Sequence, residues 1–206
     1  TQGDAATERE AVLRHLVEVD PADAWTHREL AMNLTRQSRF EEAERAADEA
    51  LALDARTAAG FTIKGDVLVR IGKPHEATEC YRSAVRSWAD APGAIHGLLD
   101  THGDTPEKRK EVLEFVESEL LKQAAVGDGF LTFREVARAV LTPTELLRSL
   151  EKAHRMRPDL LQVWSVLSQH QAEMGLLDDA LLISRQATER FPRLPRVWLD
   201  ISIVHQ

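Results

Sequence analysis

Apolar and small residues recur along the chain at steps of three and four, which is the spacing of one face of an α-helix. In residues 24–57, Leu30 and Leu34 precede a short polar stretch, and Ala43 and Ala50 continue the spacing after it. The strict alternation of apolar and polar residues that marks a half-buried strand does not occur. The pattern therefore predicts pairs of antiparallel helices joined by tight turns.

The pattern repeats with a period of 34 or 35 residues. A frame that begins at Ala24 begins again at Ala58, Pro92, Gly127, Leu161 and Pro195. Position 4 of the frame is large in all six units, where it is His27, Phe61, Ile95, Phe130, Trp164 and Trp198. Position 27 is small in each complete unit, where it is Ala50, Ala84, Ser118, Ala153 and Ala187. One helix pair cannot cover its own apolar face, so we expect successive pairs to stack on one another.

These positions resemble the tetratricopeptide repeat over nearly the whole chain. The resemblance is clearest at residues 24–91 and 144–206, and weaker at 92–143, which are either degenerate repeats or a non-repeat insertion. It implies an all-α fold, a right-handed α-solenoid of stacked antiparallel helix pairs, as a single domain over 1–206. We expect its parts in this order: a leading helix at 1–23; repeats at 24–57 and 58–91; degenerate repeats at 92–126 and 127–160; a repeat at 161–194; and, at 195–206, the first helix of a further, truncated repeat.

Charge and cysteine content narrow the classes of function. Lys and Arg number 26 against 34 Asp and Glu, a formal net charge of −8, which argues against a nucleic-acid binder. The only cysteine, Cys80, cannot form an internal disulfide, and no apolar run approaches the ~20 residues of a membrane span. We expect a cytoplasmic protein that binds neither nucleic acid nor membrane.

The sequence contains no motif that specifies a reaction, such as a nucleophile elbow, a phosphate loop or a dinucleotide fingerprint. Residues 127–135 resemble the second half of an EF-hand calcium loop, but Val126 and Ala124 stand where oxygen ligands are needed. His96 and Asp100 are four residues apart and lie on one face of a predicted helix. Two ligands are too few for a metal site, which needs three or four. We predict no catalytic residue, no cofactor and no metal site.

The resemblance also implies where a partner binds, namely a concave groove lined by the first helix of each unit. The residues predicted to contact the partner are Trp25, Arg28, Met32, Arg36, Thr62, Asp66, Arg70, His96 and Asp100. Arg36 and Arg70 occupy the same place in successive units and form a basic stripe with Arg28, which favours an acidic partner. In the alternative, Trp25 packs against the preceding helix and the arginines pair with acidic side chains of this chain.

The function predicted from these features is a non-catalytic scaffold that binds a peptide or a segment of a partner protein in the groove. The alternative is a substrate-docking or regulatory arm of a larger, bacterial enzyme (a glycosyltransferase, sulfotransferase or peptidase) whose catalytic domain lies beyond residue 206. Trp198 and Ile201 place an apolar stripe on the last helix. That stripe predicts either that the native chain continues or that the protein associates through this face.

Overall fold

Short polar turns break the apolar periodicity at regular intervals, and each break separates two helices in the computed structural model, which describes residues 2–198. Every extended element of regular structure within this range is an α-helix, and residues 195–198 are helical as well. This confirms the predicted all-α fold of packed, consecutive helix pairs. The helices are α1 Gln2–Val19, α2 Ala24–Arg36, α3 Phe40–Leu53, α4 Ala58–Ile71, α5 Pro74–Ser87, α6 Pro92–Thr101, α7 Pro106–Lys122, α8 Gly129–Ala137, α9 Pro143–Met156, α10 Leu161–Glu173 and α11 Leu177–Arg190.

The leading helix expected within residues 1–23 is α1, which runs from Gln2 to Val19. Residues 2–7 have no apolar residue larger than alanine and so carry no helical periodicity. Alanine is the strongest helix former, so Ala5 and Ala6 favour a helix that the periodicity does not mark.

The chain divides into two compact units, Thr1–Val112 and Leu113–Gln206, and the division falls within α7. In unit 1, each helix of α1–α6 packs against its neighbour in sequence. In addition, α2 contacts α4 and α4 contacts α6, so the first helices of three successive pairs lie side by side. The cavity described below is lined mainly by this layer of first helices.

Alanines allow the helices of unit 1 to pack closely. Ala43, Ala47 and Ala50 of α3 are at most 1% exposed, and Leu30 and Leu34 of α2 lie in the same buried region. A methyl side chain at a helix crossing lets two backbones approach each other, and larger residues fill the space beside it. The small residues that mark the sequence period are therefore contact points between helices.

The turns between the two helices of a unit also share one backbone conformation in three units. Ser38, Gly72 and Gly175 occupy position 15 of their units, and all three adopt a positive φ, of 61°, 84° and 79°. The N–H of the following residue bonds in each case to the carbonyl five residues before it, which belongs to Leu34, Leu68 or Gln171. This is the hydrogen bond of a Schellman helix end. Glycine reaches a positive φ without strain, whereas Ser38 does not.

Ring nitrogens at frame position 4 fix the start of three first helices in a common way. Each donates a hydrogen bond to the carbonyl of the proline six residues earlier: His27 Nε2 to Pro21 (3.1 Å), Trp164 Nε1 to Pro158 (3.1 Å) and Trp198 Nε1 to Pro192 (3.4 Å). The bond ties a first helix to the loop that precedes it. It gives a structural reason for a nitrogen-containing ring at this position in three of the six units.

In unit 2, α10 is the central helix, in contact with α8, α9 and α11. Trp164 of α10 meets the His154 ring edge-on at 4.1 Å between centroids, and the Phe191 ring at 6.3 Å. Helix α9 begins with a capping box, in which Thr142 accepts a hydrogen bond from the Glu145 N–H and the Glu145 carboxylate accepts one from the Thr142 N–H. Consecutive helices also pack in unit 2, since α10 contacts both α9 and α11.

Candidate functional site

A cavity of about 880 Å³ lies in unit 1 among the first helices α2, α4 and α6, with Tyr81 and Pro74 of α5 also in its wall. We call it the unit 1 cavity. Six of the nine residues that the sequence predicts for the groove line it: Met32, Arg36, Asp66, Arg70, His96 and Asp100. The structure therefore brings together the predicted residues from the middle and end of the first helices.

The other three predicted residues, Trp25, Arg28 and Thr62, lie outside the unit 1 cavity. Trp25 is in the first turn of α2 and is 53% exposed. Arg28 is half-buried, and its Nη1 atom has no hydrogen-bond partner. Thr62 donates its hydroxyl to the Ala58 carbonyl of its own helix at 2.8 Å. Of the predicted basic stripe, only Arg36 and Arg70 therefore face the cavity.

Two rows of charged side chains follow from the register of the helices. Met32, Asp66 and Asp100 hold position 9 on α2, α4 and α6 in turn, and Arg36 and Arg70 hold position 13 on α2 and α4. Positions four residues apart lie on the same face of a helix, one turn along. The cavity wall therefore carries a row with two carboxylates and, one turn away, a row with two guanidinium groups.

Tyr81 reaches the cavity from the second layer of helices. It belongs to α5 and is 3% exposed, and its hydroxyl donates to Asp66 Oδ1 at 2.7 Å. Its ring lies against Gly65 of α4 and Gly97 of α6, where an added Cβ would come within 2.6 Å and 2.4 Å of ring atoms. Real Cβ atoms do not approach so closely, so the two glycines are the reason that the ring fits between these helices.

The contacts of Asp66 and Tyr81 shift the pKa of both groups. Surrounding protein atoms strip water from the Asp66 carboxylate and raise its pKa, although the Tyr81 hydrogen bond and the Arg70 charge act in the opposite sense. Burial, reinforced by the Asp66 charge, raises the Tyr81 pKa well above its usual range. Tyr81 therefore stays protonated and remains a hydrogen-bond donor at physiological pH.

The charged side chains of the unit 1 cavity form no ion pair among the described residues, in contrast to the paired charges found at several other places in unit 1. Outside the cavity, ion pairs join Arg9 to Glu29, Arg39 to Glu10 (2.5 Å), Lys64 to Asp48 and Lys73 to Glu44 (3.0 Å). Within residues 2–198, none of Arg36, Asp66, Arg70, His96 and Asp100 forms an ion pair. The cavity thus presents charged groups that form no direct ion pair in this part of the chain, although the Arg70 charge acts on Asp66 at longer range.

A smaller cavity in unit 2 provides a contrast. It has a volume of about 500 Å³ and is lined by Arg138, His170 and Glu173 with apolar neighbours. Its carboxylate is already paired, because Glu173 lies 2.6 Å from Arg134 and 3.5 Å from Arg138. In the unit 1 cavity, by contrast, neither Asp66 nor Asp100 forms an ion pair among the described residues.

Two further findings concern the described part of the chain as a whole. No three His, Cys, Asp or Glu side chains among the described residues converge as metal ligands. In the same part of the chain, no helix combines the length and the apolar character needed to cross a bilayer.

No protein-family model matches the sequence, and no curated protein matches it significantly. Among solved structures, yeast Tom70 is similar to 97% of this chain at 15% identity and a TM-score of 0.54, and the match covers 42% of the Tom70 chain. TTC0263 from Thermus thermophilus, described as a thermophilic TPR protein, gives 18% identity over 88% of this chain and 98% of its own, with a TM-score of 0.42. YrrB, described as a TPR protein with an unusual peptide-binding site, gives 18% identity over 94% and 81%, with a TM-score of 0.36.

The likeness to Tom70 concerns architecture, and it agrees with the helix pairs and the 34-residue register found in this chain. This chain accordingly has the fold of the tetratricopeptide-repeat proteins.

Proposed function

We propose that the protein is a non-catalytic interaction scaffold and that the unit 1 cavity binds an extended segment of a partner protein. The observation that supports this most directly is the set of exposed charged side chains of both signs that line one cavity and form no ion pair among the described residues. Because these groups are accessible, charged groups of a partner can form charge-assisted hydrogen bonds with them, and the arrangement of the two signs favours a partner of complementary charge. The cytoplasmic location predicted from the sequence is part of this proposal.

The dimensions of the cavity suit a short stretch of extended chain. Helices in contact pack about 8–10 Å apart, so α2, α4 and α6 together span roughly 16–20 Å. An extended chain covers about 3.3–3.6 Å per residue, so about five or six residues of a partner cross the three helices. The cavity wall is built on helices, which lose little conformational freedom when a ligand binds.

Arg36 and Arg70 provide the part of the wall that an acidic side chain of the partner would contact. A guanidinium group presents five N–H donors in a planar fork that matches a carboxylate. Both side chains belong to the cavity and neither has an ionic partner within the chain segment that the structure describes. The docking-arm alternative uses the same cavity in the same way, and the experiment below applies to both.

Association through the last helix is a separate prediction. Trp198 is 55% exposed, and its indole N–H already donates to the Pro192 carbonyl. Ile201 lies outside the described residues. The stripe therefore stays a sequence-based prediction.

The proposed function can be tested by selecting a library of random dodecapeptides displayed on phage against the immobilised 206-residue chain. Synthetic copies of the selected peptides are then measured by calorimetry against the wild type and the variant Arg36→Glu/Arg70→Glu. The control is Arg45→Glu/Arg56→Glu, which reverses two exposed arginines outside the cavity that have no ion pair among the described residues.

We expect at least one selected peptide to bind the cavity variant about ten-fold more weakly or worse, which corresponds to ~1.4 kcal/mol, and to bind the control as it binds the wild type. Helical circular dichroism of both variants shows whether the fold is intact. Selection that yields no peptide, or only peptides that bind both variants equally, would contradict the proposal.

A further inference from the structure

We infer that the segment bound in the unit 1 cavity carries a basic side chain, Arg or Lys, which enters between Asp66 and Asp100. An acidic side chain within about four residues of it contacts Arg36 and Arg70. This inference rests on the proposed function and specifies the chemistry of the partner segment. It differs from the expectation drawn from the sequence, in which the basic stripe alone favoured an acidic partner.

The first argument is the register of the two carboxylates. Asp66 and Asp100 hold the same frame position on α4 and α6, which contact each other directly. The helix spacing of about 8–10 Å places two carboxylates one layer apart on the wall of one cavity. Neither has a cationic partner within 4.0 Å among residues 2–198. The donors that suit such a pair are the N–H groups of a guanidinium or an ammonium.

The second argument is the way in which Tyr81 holds Asp66. The phenol hydroxyl bonds to Oδ1 and so fixes the orientation of the carboxylate before any ligand arrives. No other hydrogen bond to this carboxylate is recorded among the described residues, which leaves Oδ2 as an acceptor. A group that is already oriented loses little entropy on binding. Asp66 is exposed, so a cation of the partner can reach this carboxylate from solvent.

The third argument is the space beside the carboxylates. Gly93 of α6 lines the cavity, and a Cβ there would meet only the Thr62 methyl group, at 3.3 Å, whereas the space beside Gly97 is occupied by the Tyr81 ring. Met32, Ile63 and Val69 give the wall apolar surface. Arginine and lysine combine a long aliphatic stem with a charged end, so the stem packs on such a wall while the end reaches a carboxylate.

The fourth argument is the balance of charge. The two arginines and the two aspartates of the cavity sum to zero formal charge. A purely basic segment would be repelled by Arg36 and Arg70, and a purely acidic segment by Asp66 and Asp100. Like charges brought together at an interface oppose binding, so the complementary ligand carries both signs in the matching order.

The test uses peptides selected on the wild-type chain as described above, restricted to those whose binding depends on Arg36 and Arg70. We expect these peptides to carry Arg or Lys and, within four positions, Asp or Glu. Each is measured against Asp66→Asn/Asp100→Asn, which removes both negative charges and keeps an oxygen that can accept the Tyr81 hydroxyl. The matched control is Glu49→Gln, an exposed carboxylate of α3 outside the cavity.

The expected loss of affinity is about ten-fold for the Asn variant and none for the control. A peptide in which the basic residue is replaced by Gln should lose about as much on the wild type and nothing further on the Asn variant, which is the coupling expected for residues in contact. If the double variant does not fold, Asp100→Asn alone serves, because no hydrogen bond or ion pair of Asp100 is recorded in residues 2–198.

Two other outcomes have distinct meanings. Peptides that depend on Arg36 and Arg70 but contain no basic residue, or that show no coupling to Asp66 and Asp100, would overturn this inference and leave the proposed function standing. A selection without any peptide that depends on Arg36 and Arg70 would overturn both.

Discussion

The Tyr81 hydroxyl donates a 2.7 Å hydrogen bond to the Asp66 carboxylate, and the two residues lie on different helices of one pair. A residue of the second helix therefore sets the orientation of a charged group on the cavity wall. Mutations at this contact should therefore affect the cavity and the packing of unit 1 to different extents.

Tyr81→Phe should raise the pKa of Asp66 further, because the hydrogen bond that it removes is one of two influences that lower that pKa in the wild type. The ring itself should stay between the glycines, since Phe has the same shape. A pH titration of the Asp66 carboxyl carbon by NMR measures the change. An unchanged or lowered pKa would show that the hydroxyl does not stabilise the charged carboxylate.

Gly97→Ala should destabilise the protein by about 1–3 kcal/mol, because the new Cβ would lie 2.4 Å from Tyr81 Cζ. Gly93→Ala on the same helix is the control, since its Cβ would meet only the Thr62 methyl group, at 3.3 Å. That control should be neutral or stabilising by about 0.5–1 kcal/mol, the usual gain of alanine over glycine in a helix. Urea unfolding followed by circular dichroism gives both values.

The cause of the Gly97→Ala effect can be checked in a second background. Tyr81→Leu removes the ring atoms that the new Cβ would strike. In that background Gly97→Ala should cost much less than in the wild type. An equal cost in both backgrounds would mean that the ring contact is not the reason.

Ser38→Gly should stabilise the protein by roughly 1 kcal/mol, because Ser38 adopts the left-handed conformation that glycine supplies in the equivalent turns at Gly72 and Gly175. For a residue with a Cβ this conformation costs about 1–2 kcal/mol, part of which is offset because glycine is freer in the unfolded chain. The reverse exchange, Gly72→Ser, should destabilise by a similar amount. Urea unfolding measures both variants, and loss of stability in Ser38→Gly would contradict the role assigned to this turn.

Glu10→Gln should lower stability at neutral pH and have little effect in acid. Burial raises the pKa of Glu10, but hydrogen bonds from Arg14 (2.8 Å), Arg39 (2.5 Å) and Gln37 (3.0 Å) outweigh it and hold the pKa below its usual range. A lowered folded-state pKa contributes stability above the unfolded-state pKa, about 4.3 for glutamate, and that stability is lost as the pH falls through the folded-state value.

The measurement is the melting temperature of Glu10→Gln and of the wild type between about pH 3 and pH 7. The gap between them should be widest near pH 7 and should close below about pH 4. Glu49→Gln, at an exposed position without an ion pair among the described residues, should show no such trend. A gap that is constant with pH would mean that the charge of Glu10 is not what stabilises this network.

The fold could be predicted from the sequence because small and large residues recur at fixed positions of the repeat. Alanine at the helix crossings and a large residue at position 4 are both visible in the sequence and both have a packing cause. The register then predicted which first-helix residues share a wall, and Met32, Asp66 and Asp100 do lie at one cavity. The apolar pattern does not mark the first turns of α1, because residues 2–7 have no apolar residue larger than alanine.

The cavity was harder to predict in detail. Trp25 and Arg28 are near the start of α2, while the cavity is lined by later turns of that helix. Tyr81 was missed because it lies on a second helix, and the expected groove was drawn from first helices only. The available signal was the pair of glycines, Gly65 and Gly97, on the two first helices that flank the ring. In a sequence, a glycine is a weaker indication of a site than a charged residue.

The series Met32, Asp66, Asp100 across α2, α4 and α6 has one more consequence. A polypeptide laid over these helices meets a thioether at one end and two carboxylates towards the other, so its two possible orientations are not equivalent. A peptide and the peptide of reversed sequence have the same composition, but they are therefore different ligands for this cavity wall.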